Sequence, residues 1–186
     1  MAKLTKPQLA FIEKMELNLY ELFDASGLKT PEWKIQMKEL GKLVAFGVTP
    51  CAVKGHTMRT RAGHCVQCNP ANLSYLKRMN LSADVYVAWS SSAKLAKVGL
   101  AIDANQRRIS LNKYKYAGVN DWEMKLIYEC ENAGEIENQV HRLLSEFSKF
   151  GVSYWNSDRY RLCTEIFKCR LKEATDALEK VVQLAA

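Results

Sequence analysis

The 186-residue sequence lacks any long apolar run, and this absence excludes one large class of protein. A membrane-spanning helix needs about 20 consecutive apolar residues, and no stretch of the chain approaches that length. The first nine residues are polar and basic, so they lack the apolar core of a secretory signal peptide. We therefore expect no membrane partner and a cytoplasmic location.

Acidic side chains are missing from the middle of the chain. Residues 40–83 contain six Lys or Arg and no Asp or Glu, and residues 94–120 contain six basic residues and one acidic. Clustered positive charge favours a polyanion, most often nucleic acid, although a solvated basic face that aids solubility is the plainer interpretation. The side chains that we expect to contact nucleic acid are Lys54, Arg59, Arg61, Lys77, Arg78, Lys113 and Lys115.

Because no export signal is visible, the six cysteines do not favour disulfides. Cys65 and Cys68 have the two-residue spacing of a zinc knuckle, and Cys51 with His56 supplies two more ligands, with His64 as the alternative histidine. The loop between them is too polar to form a core, so zinc would fold it. A redox pair is less consistent, since a proline follows at once. Four protein ligands leave no open position, which predicts structural rather than catalytic zinc.

Helical periodicity dominates the N-terminal third. Apolar residues recur at helical spacing over residues 5–24 and again over residues 30–46, where Gly47 ends the pattern. We predict a helical hairpin over residues 1–47 that packs or binds a partner, with a DNA-contacting helix pair as the alternative. The zinc-binding module then covers residues 48–70, and residues 71–83 form a linker.

The remaining segment, residues 84–186, alternates between strand and helix patterns. Two β-prone runs at residues 85–89 and 95–101 predict a hairpin, and Asp103 caps a following helix. Further strands are predicted at 122–130 and 164–169, and further helices at 133–149 and 171–184. This order predicts an α/β (α+β) fold with a small antiparallel sheet flanked by helices.

Several polar residues occupy defined positions on the predicted strands and helices of this segment. Tyr86 stands on the first strand, Lys97-Val98-Gly99 on the second, and Arg107 eight residues after the glycine. Glu137 and His141 are one helical turn apart, and Thr164-Glu165-Ile166-Phe167 follows. In order and spacing, these motifs resemble the GIY-YIG endonuclease core in its T5orf172-like branch, over about residues 84–183. Lys97 stands where the family has a second tyrosine, and Arg108 is an alternative for the helix arginine.

The resemblance implies phosphodiester hydrolysis, and the chemistry needs such side chains in any case. Glu137 can hold a hydrated Mg²⁺ or Mn²⁺. Arg107 or Arg108 can bind the scissile phosphate as a fork. Tyr86 can orient the attacking water or take its proton, with Lys97 as a nearby cation. His141 can shuttle a proton or position Glu137.

We therefore predict a metal-dependent DNA endonuclease of phage or mobile-element type, of the homing or interference kind, acting in the host cytoplasm. One core has one active site, so a monomer would nick one strand, and a weak dimer could cut both. The alternative is a catalytically inactive, zinc-containing DNA-binding regulator, which the lysine at position 97 favours. A third possibility is a protein–protein adaptor with an incidental basic surface.

Overall fold

A computed structural model describes residues 4–156 and 159–185 of the chain. The chain divides into two compact units, Met1–Lys77 and Arg78–Ala186. None of the helices within the described ranges is long and apolar enough to cross a membrane.

The first unit combines short helices with a three-stranded sheet. Strand β1 runs parallel to β2, and β2 runs antiparallel to β3. The core holds buried apolar side chains from the helices and all three strands, among them Trp33, Met37, Val44 and Met58. The elements are α1 (Lys6–Lys14), β1 (Leu22–Asp24), α2 (Thr30–Glu39), β2 (Val44–Phe46), β3 (Met58–Thr60) and α3 (Ala71–Met79), whose last two residues belong to the second unit.

The two predicted N-terminal helices are present but shorter than the sequence pattern suggested. Helix α1 stops at Lys14, because Glu16 adopts a positive φ of 49° that an α-helix cannot continue through. Helix α2 stops before Gly41, whose φ is 61°. The apolar residues beyond each stop, Leu22 and Val44, pair with each other in the sheet instead. The segment predicted as a linker contains α3.

The second unit contains the predicted antiparallel sheet with helices against it. The strands lie in the order β6-β4-β5-β9, and every pair is antiparallel. A separate hairpin, which the sequence analysis did not predict, is formed by β7 and β8. The elements are β4 (Ala83–Ser90), β5 (Leu95–Ala101), α4 (Ala104–Lys113), β6 (Trp122–Cys130), α5 (Ala133–Leu143), β7 (Ser153–Asn156), β8 (Arg159–Leu162), β9 (Ile166–Phe167) and α6 (Leu171–Ala185).

The two faces of this sheet differ in chemistry because successive residues of a strand point to opposite faces. Val85, Val87 and Val98 pack with helices α5 and α6 in an apolar cluster. The neighbouring residues Tyr86 and Ala88 belong to a second cluster on the α4 side, which also contains Leu111 and Trp122. The polar residues singled out above therefore divide between the α4 face and the edge of β5.

Candidate active site and candidate metal centre

Tyr86 on β4 lies directly opposite Gly99 on β5. The tyrosine is fully buried, and its ring lies over the glycine. A Cβ at position 99 would stand 2.7 Å from Tyr86 Oη and 3.1 Å from Lys97 Nζ. Gly99 is needed here for close approach rather than for an unusual φ, and the phenol oxygen and the ammonium group meet in the space that it leaves.

The helix arginine that reaches this point is Arg107. Its Nε donates to Tyr86 Oη across 3.3 Å. Asp103 caps α4 by accepting from the Gln106 backbone N–H, which fixes the first turn that carries Arg107. Arg108 lies one residue further around the helix and is partly exposed. The structure thus brings Arg107, and not its neighbour, to the buried tyrosine.

Lys97 is a fully buried cation. Its Nζ lies 2.5 Å from Glu165 Oε2, and it sits 5.0 Å and 5.9 Å from the ring centroids of Tyr116 and Tyr86. Burial lowers the pKa of Lys97, but the oxygens of Tyr86 and Glu165 outweigh burial and the net pKa is raised. Lys97 therefore stays charged at neutral pH and cannot act as a base.

Glu165 belongs to a motif to which the sequence assigned no chemical role, and the structure brings its carboxylate to Lys97. Burial acts to raise the pKa of its carboxyl, but Lys97 opposes that effect and leaves the net pKa below its usual value. The carboxylate is therefore ionised. Its position in the predicted Thr164-Glu165-Ile166-Phe167 motif was the available signal, but only the pairing of β9 with β5 shows which lysine it meets.

Glu137 and His141 both reach the edge of strand β5. Strand β9 pairs with β5 only at Ala96 and Lys97. Beyond that point, Glu137 Oε1 accepts from the Leu100 backbone N–H at 3.1 Å. His141 Nε2 lies 3.2 Å from the Val98 carbonyl, and it must donate because a carbonyl only accepts. The two side chains satisfy backbone groups that a longer β9 would otherwise have paired.

Arg78 joins the two carboxylates of this region. Its Nη2 lies 2.6 Å from Glu137 Oε2 and 3.7 Å from Glu165 Oε1, and its side chain is 49% exposed. Arg78 was predicted to contact nucleic acid, and in the structure it belongs to an ion-pair cluster. The cluster consists of Arg78, Lys97, Glu137 and Glu165.

Glu137 could bind a divalent cation only after it gives up its contact with Arg78. Mg²⁺ in proteins typically binds one or two carboxylates and keeps several of its waters. Glu137 has one oxygen on a backbone N–H and the other on Arg78. The carboxylate can take a hydrated cation once Arg78 moves away, and the partial exposure of the arginine allows such a movement.

The first unit holds a cluster of metal-ligating side chains. Cys51, His56, Cys65 and Cys68 present four ligand atoms within 4.8 Å of one another. Cys51 Sγ and Cys68 Sγ are 3.7 Å apart, while His56 Nδ1 lies 3.6 Å from Cys65 Sγ and 3.3 Å from Cys68 Sγ. Sulfurs at about 2.3 Å from a tetrahedral zinc are about 3.8 Å apart, so the spacing matches.

The choice between the two histidines is resolved by the loop geometry. The His56 carbonyl accepts from the Cys51 N–H at 2.8 Å, which holds the histidine beside the first cysteine. His64 takes part instead in the turn after β3, where its carbonyl accepts from Thr60. Among the described residues, the group that could hold a metal therefore contains His56 and not His64.

The cysteine thiols of this cluster differ in acidity. A backbone hydrogen bond from Lys54 lowers the pKa of Cys51 to about 6. Burial and the neighbouring sulfurs of Cys65 and Cys51 raise the pKa of Cys68 to about 11. Crowded thiolates repel one another, and a Zn²⁺ ion would allow all three to ionise.

The side chains predicted to contact nucleic acid divide into two groups. Arg59 donates to the carbonyls of Thr49, Pro50 and Gly63, and Lys77 donates to those of Met15 and Glu16, so both already hold backbone groups within the first unit. Arg78 is ion-paired as described. The exposed remainder consists of Lys54, Arg61, Lys113 and Lys115.

A family model described as the T5orf172 domain matches residues 84–182, which is just over half of the chain. This is a nuclease-associated, GIY-YIG-like domain, and the match confirms at the level of the domain the resemblance carried by Tyr86, Gly99, Arg107 and Glu137. It indicates a nuclease-related function on DNA. No curated protein and no solved structure matches the chain.

Proposed function

The chain belongs to the T5orf172 domain family, and we propose that it is a metal-dependent DNA endonuclease. The observation that supports this most is that Arg107 Nε donates to Tyr86 Oη, while Lys97 Nζ borders the same space that Gly99 leaves for the phenol oxygen. A phenol, a guanidinium and a permanent ammonium are brought together by three separate elements. Such a group suits a reaction in which negative charge develops on a phosphate.

Arg107 is the proposed phosphate ligand. Its Nε contacts Tyr86, while the rest of a planar guanidinium can form a fork on two phosphoryl oxygens. As water attacks phosphorus, charge on those oxygens is stabilised by the arginine. The new bond joins the water oxygen to phosphorus, and the bond from phosphorus to the leaving sugar oxygen breaks.

Tyr86 is proposed to position the attacking water and to accept its proton. Arg107 donates to the phenol oxygen, and Lys97 is a second cation close to it, so both can stabilise negative charge that develops there during proton transfer. Glu165 holds Lys97 in place and is a positioning residue, since it acts through the lysine.

Glu137 is the proposed ligand of Mg²⁺ or Mn²⁺, and His141 is a positioning residue on the same strand edge. When bound, such an ion supplies charge neutralisation at the phosphate and acidifies a coordinated water. Arg78 would leave Glu137 as the ion and the DNA enter. A single core contains one such site, so a monomer is expected to nick one strand.

The first unit is proposed to bind structural zinc and to add DNA affinity. Its four ligand atoms have the spacing of a tetrahedral site, and exposed Lys54 and Arg61 lie on the same loop region. Phage or mobile-element DNA, met in a host cytoplasm, is the proposed setting, in keeping with the family resemblance.

The decisive test compares two adjacent arginines. Purified protein is incubated with supercoiled plasmid and with phage DNA, with and without Mg²⁺ or Mn²⁺. We expect open-circular product that requires the metal ion. Tyr86→Phe and Arg107→Ala should each lose about 10²- to 10³-fold in rate, whereas Arg108→Ala should stay near wild type. Equal losses in Arg107→Ala and Arg108→Ala would contradict the assigned phosphate ligand.

A second candidate function is a zinc-containing DNA-binding regulator without catalysis. The ion pairs favour it, because Arg78 and Lys97 already neutralise Glu137 and Glu165. Tight DNA binding on both substrates with no cleavage in either metal ion would select the regulator over the nuclease.

A further inference from the structure

The hairpin of β7 and β8 has two chemically different faces. Residues directly opposite each other in an antiparallel pair share a face. Tyr154 lies opposite Arg161, and Asn156 lies opposite Arg159. Trp155 lies opposite Tyr160, on the other face. The hairpin thus carries a polar, basic face and an aromatic face.

The basic face continues the candidate active site. Tyr154 and Asn156 line a small cavity together with Arg107, Ser110 and Tyr116. The Tyr154 ring is 4.8 Å from the ring of Tyr116, and this contact anchors the hairpin beside α4. Both Arg159 and Arg161 are exposed on this face. A phosphate chain bound at Arg107 would therefore meet two further arginines on the hairpin.

The aromatic side chains of this hairpin are more exposed to solvent than is usual for large apolar residues. Trp155 is 52% exposed and Tyr160 is 71% exposed, and their ring centroids are 4.9 Å apart. Two large aromatic rings that stack on each other and are more than half exposed indicate a binding surface more than a fold requirement. By contrast, Trp33 and Trp122 are almost completely buried.

A cavity of about 450 Å³ lies next to these rings. This volume is within the range of small-molecule sites and leaves room for a nucleotide. Within the part of the chain that the structure describes, its lining combines aromatic and basic side chains without an acidic one: Lys113, Tyr114, Lys115, Gly118, Ser153, Tyr154, Trp155 and Tyr160. Positive charge beside flat aromatic surface matches a base with its attached phosphate, rather than an apolar peptide.

We propose that this hairpin is a stacking site for an unpaired nucleotide of the DNA substrate. One base stacks on Trp155 and Tyr160, its flanking phosphates meet Lys113 and Lys115, and the chain continues to Arg107. A base within an intact duplex already stacks on its neighbours and presents no free face. The preferred substrate is therefore DNA with a single-stranded or distorted segment. The link to cleavage rests on the proposed nuclease function, whereas the stacking site itself does not.

The test measures binding by the full chain without any divalent cation, so that cleavage plays no part. Fluorescence anisotropy follows a labelled oligothymidine and a duplex of the same length at one fixed salt concentration, because affinity depends on salt. Trp155→Ala and Tyr160→Ala should each bind the single strand about tenfold more weakly, with duplex binding changed less than about twofold. Trp155→Phe should restore most of the loss.

The matched control is Tyr20→Ala, which removes a tyrosine that is 83% exposed in the other unit. It should bind both probes as wild type does. Circular dichroism and a thermal melt check that each variant is folded. Wild-type affinity of Trp155→Ala for the single strand, or equal losses on single strand and duplex, would overturn the stacking site.

The two proposals fail separately. If single-strand binding depends on Trp155 but the protein cleaves no substrate, the stacking site is supported and the nuclease proposal is ruled out. If Trp155→Ala cleaves both a plain duplex and a duplex with a single-stranded flap at wild-type rates, the nuclease proposal is supported and the stacking site is ruled out. If both hold, the flap should be cut faster than the duplex, and Trp155→Ala should abolish that preference.

Discussion

The two units of this chain assemble their polar centres in opposite ways. In the first unit, the four candidate zinc ligands come from one stretch of 18 residues, 51–68, joined by tight turns. In the second unit, the ion-pair cluster is drawn from residues 78, 97, 137 and 165, and four separate segments must fold before it exists. The first centre, if it binds zinc as proposed, relies on the metal ion to neutralise its ligands, whereas the second neutralises its carboxylates with its own cations.

This contrast also separates stability from function. A structural metal site contributes its binding free energy to folding, so its unit depends on the ion. A buried ion-pair cluster contributes little net stability, because desolvation of the charges offsets their attraction. The first centre should therefore determine whether its unit folds, and the second should determine what the folded unit does.

The largest expected effect is the loss of the first centre. Cys65→Ser should abolish stoichiometric zinc binding and unfold the first unit, since structural zinc contributes on the order of 10 kcal/mol in small domains. Zinc content by atomic absorption, with limited proteolysis to locate the unfolded part, measures this result. The second unit should remain protease-resistant. Cys130→Ala, which changes a buried cysteine outside the cluster, should keep one zinc per chain.

Metal-free wild-type protein with an ordered, protease-resistant first unit would contradict this expectation. The short sheet and its buried Met37, Val44 and Met58 would then suffice without zinc. The contrast between the two centres would lose its basis in stability.

The next effect concerns the buried lysine of the second centre. Lys97→Met removes a fully buried cation and leaves Glu165 with Arg78 at 3.7 Å as its remaining ion-pair partner. Breaking a buried pair from one side typically costs about 3–5 kcal/mol, whereas removing both charges costs much less. Urea unfolding should show a large loss in Lys97→Met and a recovery in the double variant Lys97→Met with Glu165→Gln.

The double variant should nevertheless be inactive in the plasmid assay, because the charge beside Tyr86 is gone. Recovery of stability without recovery of cleavage would separate the two roles of Lys97. If the double variant is as unstable as Lys97→Met, the stability that Lys97 contributes comes from packing of its aliphatic chain and not from its charge.

The first centre is easier to predict from the sequence than the second, because its residues are close together along the chain. The three cysteines of the candidate zinc site could be predicted from spacing, because local turns bring them together, but the sequence left His56 and His64 as alternatives. Tyr86 and Gly99 could be predicted to face each other because strand pairing fixes them, whereas Arg107 and Arg108 stayed alternatives until the structure showed which one reaches Tyr86. The bridging role of Arg78 and the pairing of Glu165 with Lys97 could not, since each depends on packing between segments that are distant in sequence.

The secondary structure shows the same limit. The helix pattern of residues 5–24 and 30–46 continued into two short strands, because Leu22 and Val44 gain more by pairing in a sheet than by extending a helix past a positive φ. The pairing of β7 with β8 was not predicted, although the Ser153–Asn156 and Arg159–Leu162 segments are rich in the aromatic residues that favour strands.

A smaller effect is the pH dependence of the second centre. The folded pKa of Glu165 lies below its ordinary value of 4.5. Its contribution to stability is therefore complete above about pH 4.5 and is lost as the pH falls through the lower, folded pKa. The stability difference between wild type and Glu165→Gln, measured by urea unfolding at several pH values, should shrink on acidification. A difference that stays constant down to pH 3 would contradict an ionised Glu165.

The smallest effect compares two arginines of the first unit that the sequence analysis treated alike. Arg61 is exposed, whereas the guanidinium of Arg59 donates to the Thr49, Pro50 and Gly63 carbonyls beside the zinc ligands. Arg61→Ala should weaken DNA binding modestly and lower the slope of log affinity against log salt by about one unit, with zinc content unchanged. Arg59→Ala should instead lower the thermal stability of the first unit, because those carbonyls lose their donor. If Arg59→Ala instead weakens DNA binding and Arg61→Ala does not, Arg59 contacts the phosphate. Its hydrogen bonds to the backbone carbonyls would then break when DNA binds.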